Sequence, residues 1–192
     1  MLKTMKGLAY GFMLILCLGA WNNATAAPTT YYNDVTGNYY AFSSGLTTWQ
    51  AAEDQAVALG GHLVAIGSAD EQSYIEKLIA SVLSPTAKVW IGFTDQETEG
   101  TWVWSNGEDV NYTNWHSGEP NNLHSGEGED FAMIHWWSDG TWNDTSDVGQ
   151  GRYYQGVMEF TSNPAATPIP GAAWLLGTGL MGLVGLRRKM QA

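Results

Sequence analysis

Trp115-His116-Ser117-Gly118-Glu119-Pro120-Asn121, followed by Glu129-Asp130 and by Trp142-Asn143-Asp144, is the run of sequence whose reading decides the fold of this chain. Carboxylates and side-chain amides gather there around a proline turn, in Gly-rich surroundings bracketed by tryptophans. A hard cation such as Ca2+ asks for this chemistry, because it takes about six to eight oxygens from carboxylates, amide carbonyls and water. An ion held in an exposed loop also leaves positions for outside hydroxyls. Asn and Asp in loops are ordinarily turn formers. The position of Asn143-Asp144 directly after Trp142, downstream of Glu119-Pro120-Asn121, favours ligation over a plain turn.

Working outward, the pattern on both sides of residues 105–130 is one of short strands, expected at 89–93, 101–104, 131–135, 140–143 and 153–160 from β-branched and aromatic content. A loop of that length without periodicity is functional or disordered, and Trp115 and Pro120 argue for an ordered one. The first half reads differently. Residues 27–38 are a small, polar lead-in, and 39–42 form a first strand. Thr47-Thr48-Trp49-Gln50 has the form of a capping box, after which Trp49, Ala52, Ala56 and Leu59 recur at helical spacing until Gly60-Gly61. Residues 62–66 alternate as a short strand. Ser68-Ala69-Asp70-Glu71 is a second box, opening a helix with Tyr74, Ile75, Leu78, Ile79 and Val82 on one face and Pro85 just beyond it. The class expected is α+β, with two helices flanking antiparallel sheets.

The two ends of the 192-residue chain are of another kind. Lys3 and Lys6 precede an apolar run from Leu8 to Ala20, and Ala24-Thr25-Ala26 offers a cleavage site, so residues 1–26 read as a signal peptide. Pro168-Ile169-Pro170-Gly171 opens an apolar segment closed by Arg187-Arg188-Lys189. About 18 residues at 1.5 Å each reach ~27 Å, enough for a transmembrane helix, with the basic cluster on the cytoplasmic side. Residues 168–192 thus resemble the PEP-CTERM sorting signal of exopolysaccharide-producing Gram-negative bacteria, with Ile169 where that family usually has Glu. The resemblance implies an exosortase acting near Pro168, Ile169 and Pro170, an intermediate in the inner membrane, and delivery to the cell surface or extracellular matrix.

Between the ends, residues 27–167 make one domain of ordinary size, with 161–167 as a Pro/Ala/Thr linker. All nineteen acidic residues lie in this body against Lys77, Lys88 and Arg152, a formal charge of −16. Such a surface repels nucleic acid and anionic membranes and favours cations. The only cysteine, Cys17, leaves with the signal peptide, so the exported domain is held by its core or by metal.

Residues 39–160 resemble the C-type lectin-like domain. The matching strings are Trp49-x-x-Ala52, Gly60-Gly61-His62-Leu63-Val64, Trp90-Ile91-Gly92-Phe93, Gly100-Thr101-Trp102-x-Trp104, Trp115 with Glu119-Pro120-Asn121, Trp142-Asn143-Asp144 and Glu159-Phe160. The resemblance implies a long calcium-binding loop and a Ca2+ site of Glu119, Asn121, Glu129, Asn143 and Asp144, which also contact the sugar. In that family the peptide before the loop proline is cis. Glu127 competes with Glu129 for its role, and the place of Glu129-Asp130 directly before the strand at Phe131 favours Glu129. An auxiliary metal site is implied at Asp95, Glu99, Asn122 and Asp130. Glu-Pro-Asn resembles the mannose-type pattern, which implies equatorial hydroxyls as on mannose, glucose, N-acetylglucosamine or fucose-like sugars. Where the family has cysteines this chain has Ala56 and Met158, and Phe131 and approximately Val148, so bridges are expected to have become packing contacts.

The remaining motifs carry less. His62, His116, His124 and His135 have no zinc spacing, and there is no nucleophile elbow, P-loop or dinucleotide fingerprint. Paired acids in a metal-binding pattern are neutralised by the ion, which argues against a glycosidase and against an enzyme. Trp90, Trp102 and Trp104 are expected in the core, and one of Trp136 and Trp137 outward, where it can stack on a sugar face. The sequence leaves two functions: calcium-dependent carbohydrate binding, with the cell's own exopolysaccharide or another surface glycan as ligand, or a protein-binding or matrix-structuring module with the same fold and no sugar specificity.

Overall fold

Thr48 sits in extended backbone, and its hydroxyl accepts from Ala51 N at 3.2 Å, which starts helix α1 (Trp49–Ala58) in the computed structural model. The cap lies one residue later than the sequence places it. Thr47 is drawn instead into an antiparallel bridge with Tyr154, exchanging backbone hydrogen bonds of 2.9 and 3.0 Å. The helix stops as expected. Gly60, at φ +86°, turns left-handed and donates to Val57 O, and Gly61 N donates to Ala56 O, satisfying two end carbonyls. Helix α2 (Ala69–Val82) is capped by Ser68, whose side chain accepts from Glu71 N. Its buried face is Glu71, Gln72, Ile75, Leu78 and Ile79, while Val82 lies exposed.

The structure describes residues 27–123, 128–147 and 153–164. The signal-peptide reading of 1–26, the sorting motif Pro168-Ile169-Pro170 with the apolar segment of 168–192, and Cys17, His124, Glu127 and Val148 lie outside the described residues. Among the described residues no helix is long and apolar enough to cross a membrane.

Eight strands join one sheet: β1 (Tyr31–Tyr32), β2 (Tyr39–Phe42), β3 (His62–Leu63), β4 (Val89–Thr94), β5 (Val103–Trp104), β6 (Phe131–Ile134), β7 (Trp142–Thr145) and β8 (Gln155–Phe160). Their order is β1-β2-β8-β4-β6-β7, with β3 added on β8 and β5 on β4. The pairings are antiparallel except β4 with β8, which is parallel, so the sheet is mixed where an antiparallel one was expected. Strand boundaries move by one to three residues everywhere but at 39–42, and one strand is new. Tyr31-Tyr32 pairs with Tyr39-Tyr40, giving the polar lead-in a strand that its composition hides. The expected strand at 62–66 keeps regular pairing only at His62-Leu63, and residues 63–66 are all buried instead of alternating. Strand β5 begins at Val103 because Gly100, at φ +76°, closes a turn in which Thr101 N donates to Thr98 O. Strand β7 begins at Trp142 and runs to Thr145, because left-handed His135, Ser138 and Gly140 commit the preceding residues to the hairpin.

Pleat alternation sends successive strand residues to two buried clusters, one on each face. Helix α2 covers Val89, Ile91, Phe93, Ala132, Ile134, Trp142 and Val157. Helix α1 covers Trp90, Phe131, Met133, Met158 and Phe160. Ala56 and Met158, the two apolar residues at expected bridge positions, belong to the same buried cluster. Phe131 stacks on Trp49 with ring centroids 4.7 Å apart.

Candidate functional site

The long loop is fixed along the outer strand β7 before it reaches its polar strings. Trp142 N donates to Asn114 O at 2.8 Å and His116 N to Trp142 O at 2.9 Å, so residues 114–116 run parallel to β7. Trp115 packs edge-on against Trp142 and Trp102 and lies 5.7 Å from Phe93, which anchors the loop in the aromatic core. Trp142 is anchored in turn by buried Gln72, whose Oε1 accepts from the indole at 2.9 Å and whose amide donates to Gly140 O. Gly118, at φ +98°, lets Glu119 N turn back to His116 O, and the Glu119–Pro120 peptide is cis.

At this point two carboxylates meet. Asp144, buried on β7, accepts through Oδ2 from Asn121 N at 3.0 Å and Asn122 N at 2.7 Å. Among the described residues its Oδ1 and Glu119 Oε2 are buried and have no hydrogen-bond partner. Burial, and next the Asp144 carboxylate beside it, push the Glu119 carboxyl up to about 7; Glu129 adds to the rise and the Asn121 side chain opposes it. Two acceptors left facing without a donor need a proton or a cation between them. Orphaned carboxylate oxygens with amide oxygens alongside fit a hard divalent ion.

The other members of the set surround this pair. Leu123 N donates both to Asn121 Oδ1 (2.9 Å) and to Glu129 Oε2 (3.1 Å), tying the two sides of the loop together. Asn122, at φ +47°, accepts from Glu129 N through Oδ1 at 2.8 Å. The Asn143 amide donates to Asp144 O. Glu129 stays within electrostatic reach of Glu119, but among the described residues no three His, Cys, Asp or Glu side chains form a metal-holding group. Glu119 and Asp144 form the close pair, and Glu129 acts on it through its charge.

The expected auxiliary set is assembled in part. Asp95 is buried, its Oδ2 accepts from Gly100 N at 2.8 Å, and its Oδ1 is a further buried oxygen lacking a partner among the described residues. Burial raises its carboxyl first, and the charges of Glu99 and Asp130 raise it further. Asp130 is raised by burial, then by Glu99 and Asp147. Asp147, which no motif singles out, therefore joins this acidic patch. Asn122 is spent on Glu129 N.

Two other constellations lie away from the acidic pair, the second of them at the expected Trp136-Trp137. Tyr40 OH donates to Glu71 Oε1 at 2.7 Å and lies 3.2 Å from Glu159 Oε1, and Asn38 and Ala65 N donate to Glu159. Burial, followed by the Glu71 charge, pushes the Glu159 carboxyl up to about 7. The second surrounds the β6–β7 hairpin. Trp137 is 39 % exposed and lies flat on His116, with centroids 3.9 Å apart and planes at 13°. Trp136 turns inward beneath Lys88, whose Nζ stands 3.8 Å from its ring centre. Of the tryptophans expected in the core, Trp90 and Trp104 are buried and Trp102 is half-buried.

Comparison with known proteins gives a consistent picture. The family described as "Lectin C-type domain" matches residues 46–153. Ladderlectin of Oncorhynchus mykiss is 32 % identical over 125 residues, 65 % of this chain and 64 % of ladderlectin, so the chain spans slightly under two thirds of that relative. Among solved structures, the cow C-type carbohydrate-recognition domain of CD23, determined in the presence of a GlcNAc2Man3 oligosaccharide, superposes with a TM-score of 0.59 at 28 % identity, covering 72 % of this chain and 97 % of that one. A calcium-independent type II antifreeze protein superposes at 0.58 with 25 % identity, covering 68 % and 90 %.

Proposed function

The chain belongs to the C-type lectin domain family, and from that premise we propose that it binds carbohydrate in a calcium-dependent manner, as an exported bacterial surface or matrix protein and not as an enzyme. The observation that carries this reading is the pair of buried, unpartnered oxygens, Glu119 Oε2 and Asp144 Oδ1, on adjoining carboxylates. Glu119, Asn121, Glu129, Asn143 and Asp144 would hold the ion. Bound Ca2+ supplies positive charge between the acids and leaves coordination positions for two vicinal sugar hydroxyls. The backbone amides of Asn121 and Asn122 fix Asp144 from behind, which orients its free Oδ1 before any ligand arrives. Glu119 and Glu129 accept hydrogen bonds from the hydroxyls, and the Asn121 and Asn143 amides donate to them.

Glu119-Pro120-Asn121 supports mannose-type hydroxyls, and an exopolysaccharide of the producing cell is the ligand consistent with the sorting signal at Pro168-Ile169-Pro170. A second ion at Asp95, Glu99 and Asp130 belongs to the same proposal, supported by the unpartnered Asp95 Oδ1, with Asn122 left as the brace of Glu129. The rival reading is a protein-binding or matrix module. It is favoured by the absence of a three-acid group among the described residues and by the likeness to a calcium-independent protein.

A glycan array probed with and without Ca2+, on the wild type and on Asn143→Ala, separates the two. Signal on mannose-type glycans that vanishes in EDTA and in the variant is the expected result. An array on which no glycan depends on Ca2+ refutes carbohydrate binding and leaves the rival.

A further inference from the structure

We infer that the site continues beyond its metal-proximal sugar into a second subsite, in which Trp137, braced by His116, stacks on the next sugar residue of an oligosaccharide chain. The inference rests on the carbohydrate-binding reading above and adds the size of the ligand to it. Its ground is the platform at the β6–β7 hairpin, which the five oxygen-bearing residues do not use.

Both chain segments that build the candidate site also build this platform. His116 lies three residues before Glu119 and gives its carbonyl to Glu119 N. Thr141 lies two residues before Asn143, and its hydroxyl is 3.1 Å from His116 Nδ1. Two residues of chain span at most about 7 Å. Thr141 and the His116 it touches therefore lie beside Asn143, within roughly the length of one sugar residue in an extended chain.

Trp137 is preset for stacking. One face of the indole is covered by His116, its flank meets Trp136 edge-on at 6.5 Å, and 39 % of the residue remains open to solvent. Asp139 approaches the same His116 Nδ1 at 3.4 Å, and donor bonds from Thr141 fix Asp139 in turn. An exposed tryptophan loses apolar hydration when the C–H face of a pyranose covers it, and a ring already immobilised forfeits little entropy on binding. Asp139 and Thr141 supply polar atoms at the rim for the hydroxyls of that second residue.

Titration with methyl α-mannoside, mannotriose and maltotriose in Ca2+ tests this on the full chain. The wild type should bind one of the trisaccharides about three- to tenfold more tightly than the monosaccharide, the scale of one aromatic contact. Trp137→Ala should reduce that trisaccharide to the monosaccharide level and leave methyl α-mannoside and Ca2+ uptake unchanged. Trp137→Leu, which retains apolar volume at the hairpin, should behave the same way and guards against a folding defect in the first variant. Equal affinities for mono- and trisaccharides in the wild type, or a gain that survives both substitutions, overturn the subsite alone. Absence of calcium-dependent binding of all three sugars overturns the carbohydrate reading and this inference with it.

Discussion

Lowering the pH should expel Ca2+ from the site through protonation of Glu119. The Glu119 carboxyl is pushed up to about 7 by burial and by the Asp144 carboxylate next to it. In the metal-free protein at pH 5.5 that carboxyl therefore carries a proton, and an incoming ion has to displace it. Linkage then requires roughly one proton released per ion at pH 5.5, falling to roughly a tenth at pH 8, and apparent affinity falling about tenfold per pH unit below 7. Calorimetric titration of CaCl2 in two buffers of different ionisation enthalpy reads the proton count directly. Glu119→Gln removes both the ligand charge and the titrating group, so it should weaken uptake on the order of a hundredfold and flatten what pH dependence remains above pH 5.5. The same raised carboxyl works oppositely on folding without metal. Its stabilising contribution is fully present below 4.5 and is lost as pH rises through 7, so the metal-free protein is favoured by mild acid while the loaded one is favoured by neutrality. Calcium affinity that stays constant between pH 5.5 and 7.5, with no proton release, refutes the pairing of Glu119 with Asp144 as the place where the ion sits.

Three further outcomes follow from the frame. Glu159, pushed up from 4.5 to about 7 mainly by burial and then by Glu71, should contribute up to about 3 kcal/mol below pH 4.5 that disappears as pH rises through 7. Urea melts in EDTA between pH 5 and 8 should show that slope, and Glu159→Gln should reduce it. Gly61→Ala places a methyl group against Glu159 O and the Phe160 ring, where backbone cannot yield, and should lower the urea midpoint by the equivalent of about 3 kcal/mol or more. Gln72→Ala leaves the buried Trp142 indole N–H without its acceptor; a loss of about 1–3 kcal/mol is expected, with weaker calcium uptake because Trp142 carries Asn143 and Asp144. Unchanged melting of the Gln72 variant would show that the loop is held by other means.

The parts of this fold that were legible in the sequence are those where local chemistry and tertiary packing agree. The Ser68 cap, the Gly60-Gly61 stop and strand β2 stand where capping and turn rules put them. The Thr48 cap shifted because a distant residue, Tyr154, competes for Thr47, and no spacing rule sees residue 154 from residue 47. Tyr31-Tyr32 looked like lead-in because a two-residue strand has no period to detect, and its pairing comes wholly from β2. At the site, the strings showed which side chains share a loop, and Glu119 and Asp144 do meet. The way the remaining oxygens are divided was hidden, since Asn122 and Leu123 N are spent on holding Glu129 and Asn121 in place. Composition makes such residues all alike as ligands, whereas the backbone sorts them into ligands and braces.

That sorting explains how a chain without a cysteine in its body can keep so many acids at one edge. Charge repulsion among Glu119, Glu129 and Asp144, and among Asp95, Glu99 and Asp130, works to open the loop. Against it stand contacts that are indifferent to charge: Trp115 wedged among Phe93, Trp102 and Trp142, the β7 backbone bonds to Asn114 and His116, and Gln72 reaching from α2 to Trp142. The repulsion is local and disappears when a cation neutralises it, but the aromatic anchoring persists in either state. The loop is thereby held in place at the cost of unpaired carboxylate oxygens, and in the proposed function the affinity for an ion would be the release of that same tension.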